Sequence, residues 1–254
     1  ENQKKLKKDW HHTNDLKTRH LIIDNLLPTR HCKNIYNTIF KSKNKFLKFN
    51  SLREKKKTTG LINKLDPILY SIFKALQSRA VIRKISKIIS LKNLDSDPSS
   101  YAGGLSIMSK GDFLNPHIDN SHDRDLKKYR RLNLLYYVTP NWKNNYGGNF
   151  ELWDEGVKKR KLITSKFNRL VIMETNKQSW HSVNKVLTNK NRCCVSNYYF
   201  SSTPPEKEEY FHVTSFTGRP NEKIKRIYGI FDNLIRNFVS NTTSFGRNKK
   251  FFKK

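Results

Sequence analysis

The sequence predicts a mainly β domain, an antiparallel sandwich or barrel with flanking helices (α+β). Three observations predict it. From Tyr101 onward, short apolar segments follow one another at turn-punctuated spacing. Ahead of them, within about 30–90, stand amphipathic helical patterns, and a further one follows at about 221–240. At 254 residues one core can bury most of the apolar surface without disulfide staples. A single domain over 19–240 is therefore expected, with its β core at about 101–202.

Taken in order, residues 1–18 are polar, Lys-rich and aperiodic, which predicts a flexible basic arm. RHLIIDNLLPTRHCKNIYNTIF (19–40) reads as a short strand, a Leu-Pro turn and an amphipathic helix. FLKFNSLREKKKTT alternates and then dissolves into charge, as an edge strand running into a solvated loop would. Asp66 and Pro67 form an N-cap and first helical position, and the apolar face at 68, 69, 72, 73 and 76 continues or restarts at 81, 82, 85, 88 and 89. These helices are expected to cover one sheet. The strands then run GGLSIMSKGDFLNPHIDN, RRLNLLYYVT, GGNFELWD, KKRKLITS, NRLVIMET, SWHSVNKV and RCCVSNYYFS. Gly147–Gly148 fits a turn or bulge of positive φ. A final amphipathic helix leads into a basic tail, 241–254.

Composition narrows the function classes. Three cysteines, two of them adjacent (Cys193, Cys194), are too few for a secreted disulfide framework and predict a reducing, cytoplasmic setting. No apolar run is long enough to span a membrane, and the basic start lacks the apolar stretch of a signal peptide. The chain opens without Met, so upstream residues are expected. A net charge of +30, from 51 Lys+Arg against 21 Asp+Glu, attracts nucleic acid, ribosomes or acidic surfaces. Lys outnumbers Arg, however, and Asn and Ile abound. An AT-rich coding composition produces that bias too, so the charge describes the surface before it describes a reaction.

The chemistry concentrates in NPHIDN. Positions two apart on a strand share a face, so His117 and Asp119 project together, and burying both needs a compensating partner. Alone, an H-x-D pair is most often a structural hydrogen bond. His181, in QSWHSVNK, closes a two-His, one-carboxylate set with open positions, the arrangement of non-haem Fe(II) oxygenases. Arg192 opens the apolar strand CCVSNYYF, and an inward guanidinium needs an anion that its planar fork can grip. Cys194, Ser196 and Tyr198 share its face, and Tyr137 in LLYYVT offers a hydroxyl. Such a set suits a 2-oxoacid dicarboxylate chelating the metal at one end and neutralised at the other. NSHDRD, with His122, Asp123 and Asp125, reads as a solvated loop. Phe113 and Leu114 read as core.

With GDFLNPHIDN, RRLNLLYYVTPNW, YGGNFELWD, WHSV and Arg192 in this order and spacing, the chain resembles the Fe(II)/2-oxoglutarate-dependent dioxygenases. The branch is the prolyl 4-hydroxylase-like one, and the resemblance covers about 101–202, with weaker similarity in LIIDNLLP and LDSDPSSYAGGL. It implies a double-stranded β-helix, a jelly roll with helices packed on one sheet. It also implies Fe(II) held by His117, Asp119 and His181. The distal carboxylate of 2-oxoglutarate falls to Arg192 assisted by Tyr137, with Tyr198 and Ser196 in the same cosubstrate pocket. The implied reaction uses O2 to hydroxylate an unactivated C–H bond of a protein prolyl residue or a small molecule, releasing succinate and CO2, with ascorbate as reductant. Because Asp119 is present, hydroxylation rather than halogenation is implied. Many members carry a Tyr about ten residues before the first histidine, where this chain has Ile107 and Met108.

Two other readings compete. One is a catalytically inactive jelly roll binding RNA or an acidic partner through its basic surface. The other is a cupin-like enzyme using a different metal, indifferent to Arg192. Loops 120–130, 140–148 and 203–220 are the expected rim, where His212 and Arg219 are either substrate contacts or loop decoration.

Overall fold

The computed structural model describes residues 3–11, 16–97, 101, 103–205 and 209–242. Its strands are β1 (His20–Asp24), β2 (Leu47–Asn50), β3 (Glu54–Thr59), β4 (Gly104–Met108), β5 (Phe113–Ile118) and β6 (Tyr129–Tyr137). β7 (Phe150–Trp153), β8 (Arg160–Ile163), β9 (Arg169–Glu174), β10 (His181–Val183), β11 (Arg192–Ser201) and β12 (Ser215–Phe216) complete them. The helices are α1 (Gln3–His11), α2 (Thr29–Lys41), α3 (Pro67–Leu76), α4 (Arg79–Ile89) and α5 (Lys223–Thr242).

The strands form one antiparallel sheet in the order β1-β9-β6-β11-β4-β3-β5-β10-β7-β8, with β2 added to β3 and β12 to β5. The sheet curls so that β4, β6 and β11 face β5, β7 and β10 across an interior. This is the jelly-roll architecture the sequence predicted. Alternation on β11 shows how one strand serves two layers. Cys193, Val195 and Tyr199 point outward into the main core, where Leu105, Ile107, Leu132, Leu134, Tyr136, Leu170 and Ile172 join them under the helices. Arg192, Cys194, Ser196 and Tyr198 point inward. A strand covered on both faces reads as a near-continuous apolar run.

The helical calculus holds locally. The Asp66 carboxylate accepts the Ile68 N–H at 2.9 Å, and the apolar stripe restarts at Ser78, whose hydroxyl caps α4 by accepting from Val81 N–H. Gly147 and Gly148 take φ of 66° and 61°.

Three expectations fail. Residues 3–11 are not an aperiodic arm: they form α1, which buries Leu6 and Trp10 (0 % exposed) against the core. Two apolar residues four apart make one helix face, and so short a signal among lysines is easily overlooked. The basic tail, from residue 243 on, lies outside the described residues. REKKKTT is no solvated loop either, but the central strand β3, paired with β2, β4 and β5. Lys55 and Lys57 turn outward while Glu54 and Lys56 turn inward and pair at 2.8 Å, so both faces carry charge and no apolar alternation marks the strand. Finally, Phe113 is only half-buried; Leu114, also half-buried, does pack on the small apolar cluster of Met108, Trp142, Val183 and Val186 and lines the interior. No helix among the described residues is long and apolar enough to cross a membrane.

Candidate active site

His117, at the end of β5, and His181, opening β10, are direct cross-strand partners. Their rings lie 4.1 Å apart between centroids. Asp119 follows β5 with its carboxylate 3.7 Å from His117 Nε2 and 3.7 Å from His181 Nε2. The three offer ligand atoms all within 4.8 Å of one another, the only such group of three among the described residues. His117 Nδ1 lies 2.9 Å from the Asn115 carbonyl oxygen and His181 Nδ1 lies 2.9 Å from that of Ser179. A carbonyl can only accept, so each Nδ1 carries the proton and each Nε2 presents its lone pair to the shared centre.

The electrostatics favour cation binding. Burial would push the Asp119 carboxyl up, but His181, Arg130, His117 and Lys56 outweigh it and hold it down at about 2. Burial, with His181 adding to it, holds His117 down at about 3, as a neutral imidazole. Both groups therefore stand ready as ligands at neutral pH.

A cavity of about 170 Å³ opens from the triad into the roll, floored by Met108, Leu135, Phe150 and Val183. Arg192 reaches into it, 3 % exposed. Its Nε donates to Ser165 Oγ at 3.0 Å, its Nη1 faces Met108 Sδ at 3.5 Å, and its guanidinium lies 4.8 Å from the Tyr137 ring centroid. Among the described residues no carboxylate pairs with it. The Tyr137 hydroxyl is buried beside Arg192 and Ser165, and burial raises its pKa against the pull of both. A buried cation without a carboxylate, in the cavity that the three metal ligands also line and with a buried hydroxyl beside it, fits one end of a dicarboxylate whose other end meets the metal. Ser196 lines the same cavity, its hydroxyl donating to Gly104 O at 3.1 Å. Met108 lines the same cavity beside Arg192. Burial pushes the Cys194 thiol up to about 11, which keeps it protonated. A Cβ at 148 would meet Arg192 Cδ, Trp142 Cζ2 and Val186 Cγ2 at 3.0 Å each, so that turn packs closely on all three side chains.

A second cavity, of about 490 Å³, shares His117, Asp119, Lys56, Leu114 and Tyr198 with the first and opens outward. The expected rim is right in part. Residues of 120–130 and 211–216 line it, His212 among them, whereas 140–148 does not. The β2–β3 hairpin contributes Phe49, Arg53 and Lys56, which the sequence reading missed. Arg219 is not a rim residue: its guanidinium donates to Asn115 Oδ1 at 2.7 Å and to Val183 O and Glu151 Oε2 at 3.0 Å, tying β5, β7 and β10 together. His122 is no loop decoration. It is buried, packed on Tyr129 and Phe211, and its Nδ1 shares a hydrogen bond with Ser121 Oγ. Arg130 and Asn133 are the main residues overlooked. Arg130 Nη1 lies 3.5 Å from Asp119 Oδ2 and its guanidinium stacks 4.1 Å from Tyr198. Asn133 Nδ2 lies 3.3 Å from the same carboxylate oxygen and 3.2 Å from the Tyr198 hydroxyl. Tyr198 thus borders Asp119, between the two cavities.

Residues 103–200 match the family described as the 2OG-Fe(II) oxygenase superfamily. Over 172 residues the chain is 24 % identical to mouse prolyl 3-hydroxylase OGFOD1, a match covering 65 % of this chain and 29 % of that protein. The chain therefore spans under a third of that relative. Among solved structures it resembles a Pseudomonas putida prolyl-4-hydroxylase, with TM-score 0.59, 11 % identity, and 78 % of this chain and 98 % of that one covered. It also resembles a prolyl hydroxylase from Trichoplax adhaerens, with TM-score 0.54, 17 % identity, and 78 % and 89 % covered. These likenesses establish the fold.

Proposed function

We propose that this chain, whose residues 103–200 match the 2OG-Fe(II) oxygenase superfamily, is an Fe(II)- and 2-oxoglutarate-dependent dioxygenase of the prolyl 4-hydroxylase-like branch that hydroxylates an unactivated C–H bond. The observation that carries this reading is Arg192, a buried guanidinium without a carboxylate, facing the cavity into which His117, Asp119 and His181 present their free atoms. Bound there, iron and 2-oxoglutarate supply the oxygen activation that ends in succinate, CO2 and a hydroxylated product.

The protein's part follows from its own groups. His117 and His181 hold their protons on Nδ1 and ligate through Nε2, and Asp119 ligates as an anion. Arg192 neutralises the distal carboxylate and the Tyr137 hydroxyl donates to it. Ser196 and Tyr198 complete the walls of the cosubstrate space. Met108, Leu135, Phe150 and Val183 give that space an apolar floor, which strengthens the electrostatic contacts beside it. Arg130 and Asn133 hold the Asp119 carboxylate by the oxygen nearer His181, so its orientation is set before a metal arrives. The outer cavity takes the substrate, a protein prolyl residue or a small molecule, and ascorbate serves as reductant.

The test is succinate formation from 2-oxoglutarate with added Fe(II). Wild type is expected to turn over slowly even without substrate, and His117→Ala to lose activity. Arg192→Ala is expected to raise the KM for 2-oxoglutarate by about 30-fold or more, the cost of deserting a buried charge partner. Absence of turnover together with an inactive wild type towards prolyl peptides, read by mass for one added oxygen, would sink the proposal. So would indifference to Arg192→Ala, which favours the cupin-like alternative.

A further inference from the structure

We propose that the helical layer on the outer face of the roll is a docking surface for single-stranded nucleic acid. α1 packs on α4, α4 on α3 and α3 on α2, forming one layer over the face of the sheet opposite the metal cavity. Coding bias can account for how many cations the chain carries. It does not account for where they stand. α2, α3 and α4 carry eight Lys and Arg, namely Arg30, Lys33, Lys41, Lys74, Arg79, Arg83, Lys84 and Lys87, while residues 95–254 carry 28 cations against 15 carboxylates. α2, α3 and α4 contain no Asp or Glu at all.

Every cation of α4, namely Arg79, Arg83, Lys84 and Lys87, is exposed. So are Arg30, Lys33 and Lys41 of α2, Lys74 of α3 and the lysines of α1. Two of these positions work against the helices that bear them. Arg30 and Arg79 sit in first turns, where the macrodipole favours an anion, and neither first turn has an acidic residue. A layer that keeps cations where they weaken its own helices, with only Asp9 of α1 and the α3 cap Asp66 as carboxylates, is complementary to a polyanion.

Exposed aromatics choose among polyanions. Phe40 of α2 and Tyr70 of α3 are 38 % and 42 % exposed, on helices packed side by side, with Lys43 at 4.6 Å and Lys74 at 5.9 Å from their ring centroids. Rings interleaved with ammonium groups stack unpaired bases while the cations follow the phosphates. A duplex hides its base faces, and a lipid headgroup has none. An occupant of this layer leaves the metal cavity open, because that cavity lies on the inner face of the sheet.

The probe is a fluorescein-labelled oligouridylate of about 12 nucleotides, titrated with the full chain and read by anisotropy at several salt concentrations. Wild type should bind, with affinity falling steeply as salt rises. Reversing Arg79, Arg83, Lys84 and Lys87 to Glu should weaken binding at least tenfold and flatten the log–log salt slope by about 3, from about 0.7 for each lost phosphate contact. Phe40→Ala with Tyr70→Ala should weaken binding about fivefold or more and leave the slope unchanged. Uncoupled 2-oxoglutarate turnover should survive in both variants. Should the α4 variant fail to fold, Glu at Arg30, Lys33 and Lys41 carries the same comparison. The proposal is overturned by no binding at about 50 mM salt, by an α4 or α2 variant that binds like wild type, or by a duplex of equal length binding as tightly. It is overturned equally if phosphatidylserine vesicles bind where the oligonucleotide does not.

Discussion

At the scale of single residues the distinction that matters is between a histidine that offers a lone pair and one that is merely buried. His181 and His122 are both enclosed, yet only His181 presents a free Nε2 to Asp119 and His117. His181→Ala should therefore weaken Fe(II) binding about 100-fold or more, read by anaerobic equilibrium dialysis, whereas His122→Ala should change it little. Equal losses would show that the third ligand is misassigned. Arg130 illustrates what residue-level reading misses. Counting by twos from Asn133 along β6 puts Arg131 inward and Arg130 outward. The pairing with β11 shifts between Tyr199 and Phe200, and the extra residue on β6 returns Arg130 to the face of Asp119.

Elements carry the next set of decisions. α1 is the clearest: nine residues, mostly lysine and other polar groups, become part of the core through Leu6 and Trp10. Helices this short are marginal alone, so tertiary burial stabilises this one. Trp10→Ala should lower unfolding stability by about 3–5 kcal/mol in urea titrations. A flexible arm would lose nothing. β3 carries the same lesson in reverse, since lysines disfavour a strand on propensity. Its place is decided by hydrogen bonds to β2 along one edge and to β4 and β5 along the other, with Glu54 offsetting the inward Lys56. Arg219 acts at this scale too, clamping the strands that carry both histidines rather than touching a substrate.

For the whole molecule, protonation and net charge act together. His20 on β1 is buried, and that burial, helped by Lys161, lowers its pKa to about 4 from an unfolded value of 6.5. Between those values the unfolded chain binds the proton and the folded chain does not. Stability therefore rises with pH through that window and is lost as pH falls, by up to about 3 kcal/mol. His20→Gln should flatten the pH dependence of the unfolding midpoint between pH 4 and 6.5. An unchanged slope would place the acid sensitivity elsewhere. Further protonation of a chain already at +30 adds self-repulsion, whose contribution added salt should reduce.

Most strand segments of the β core, the Asp66-capped helix, the turn at Gly147–Gly148 and the candidate set His117, Asp119, His181 and Arg192 were legible in the sequence. Each rests on a short-range period or on a residue type with few other uses. The tertiary structure alone decided that α1 is core, that β3 is central, that Arg130 and Asn133 hold Asp119 and that Arg219 is scaffold. Those outcomes depend on which surfaces meet across the curled sheet. Contacts between residues far apart in the chain leave no periodic trace along it.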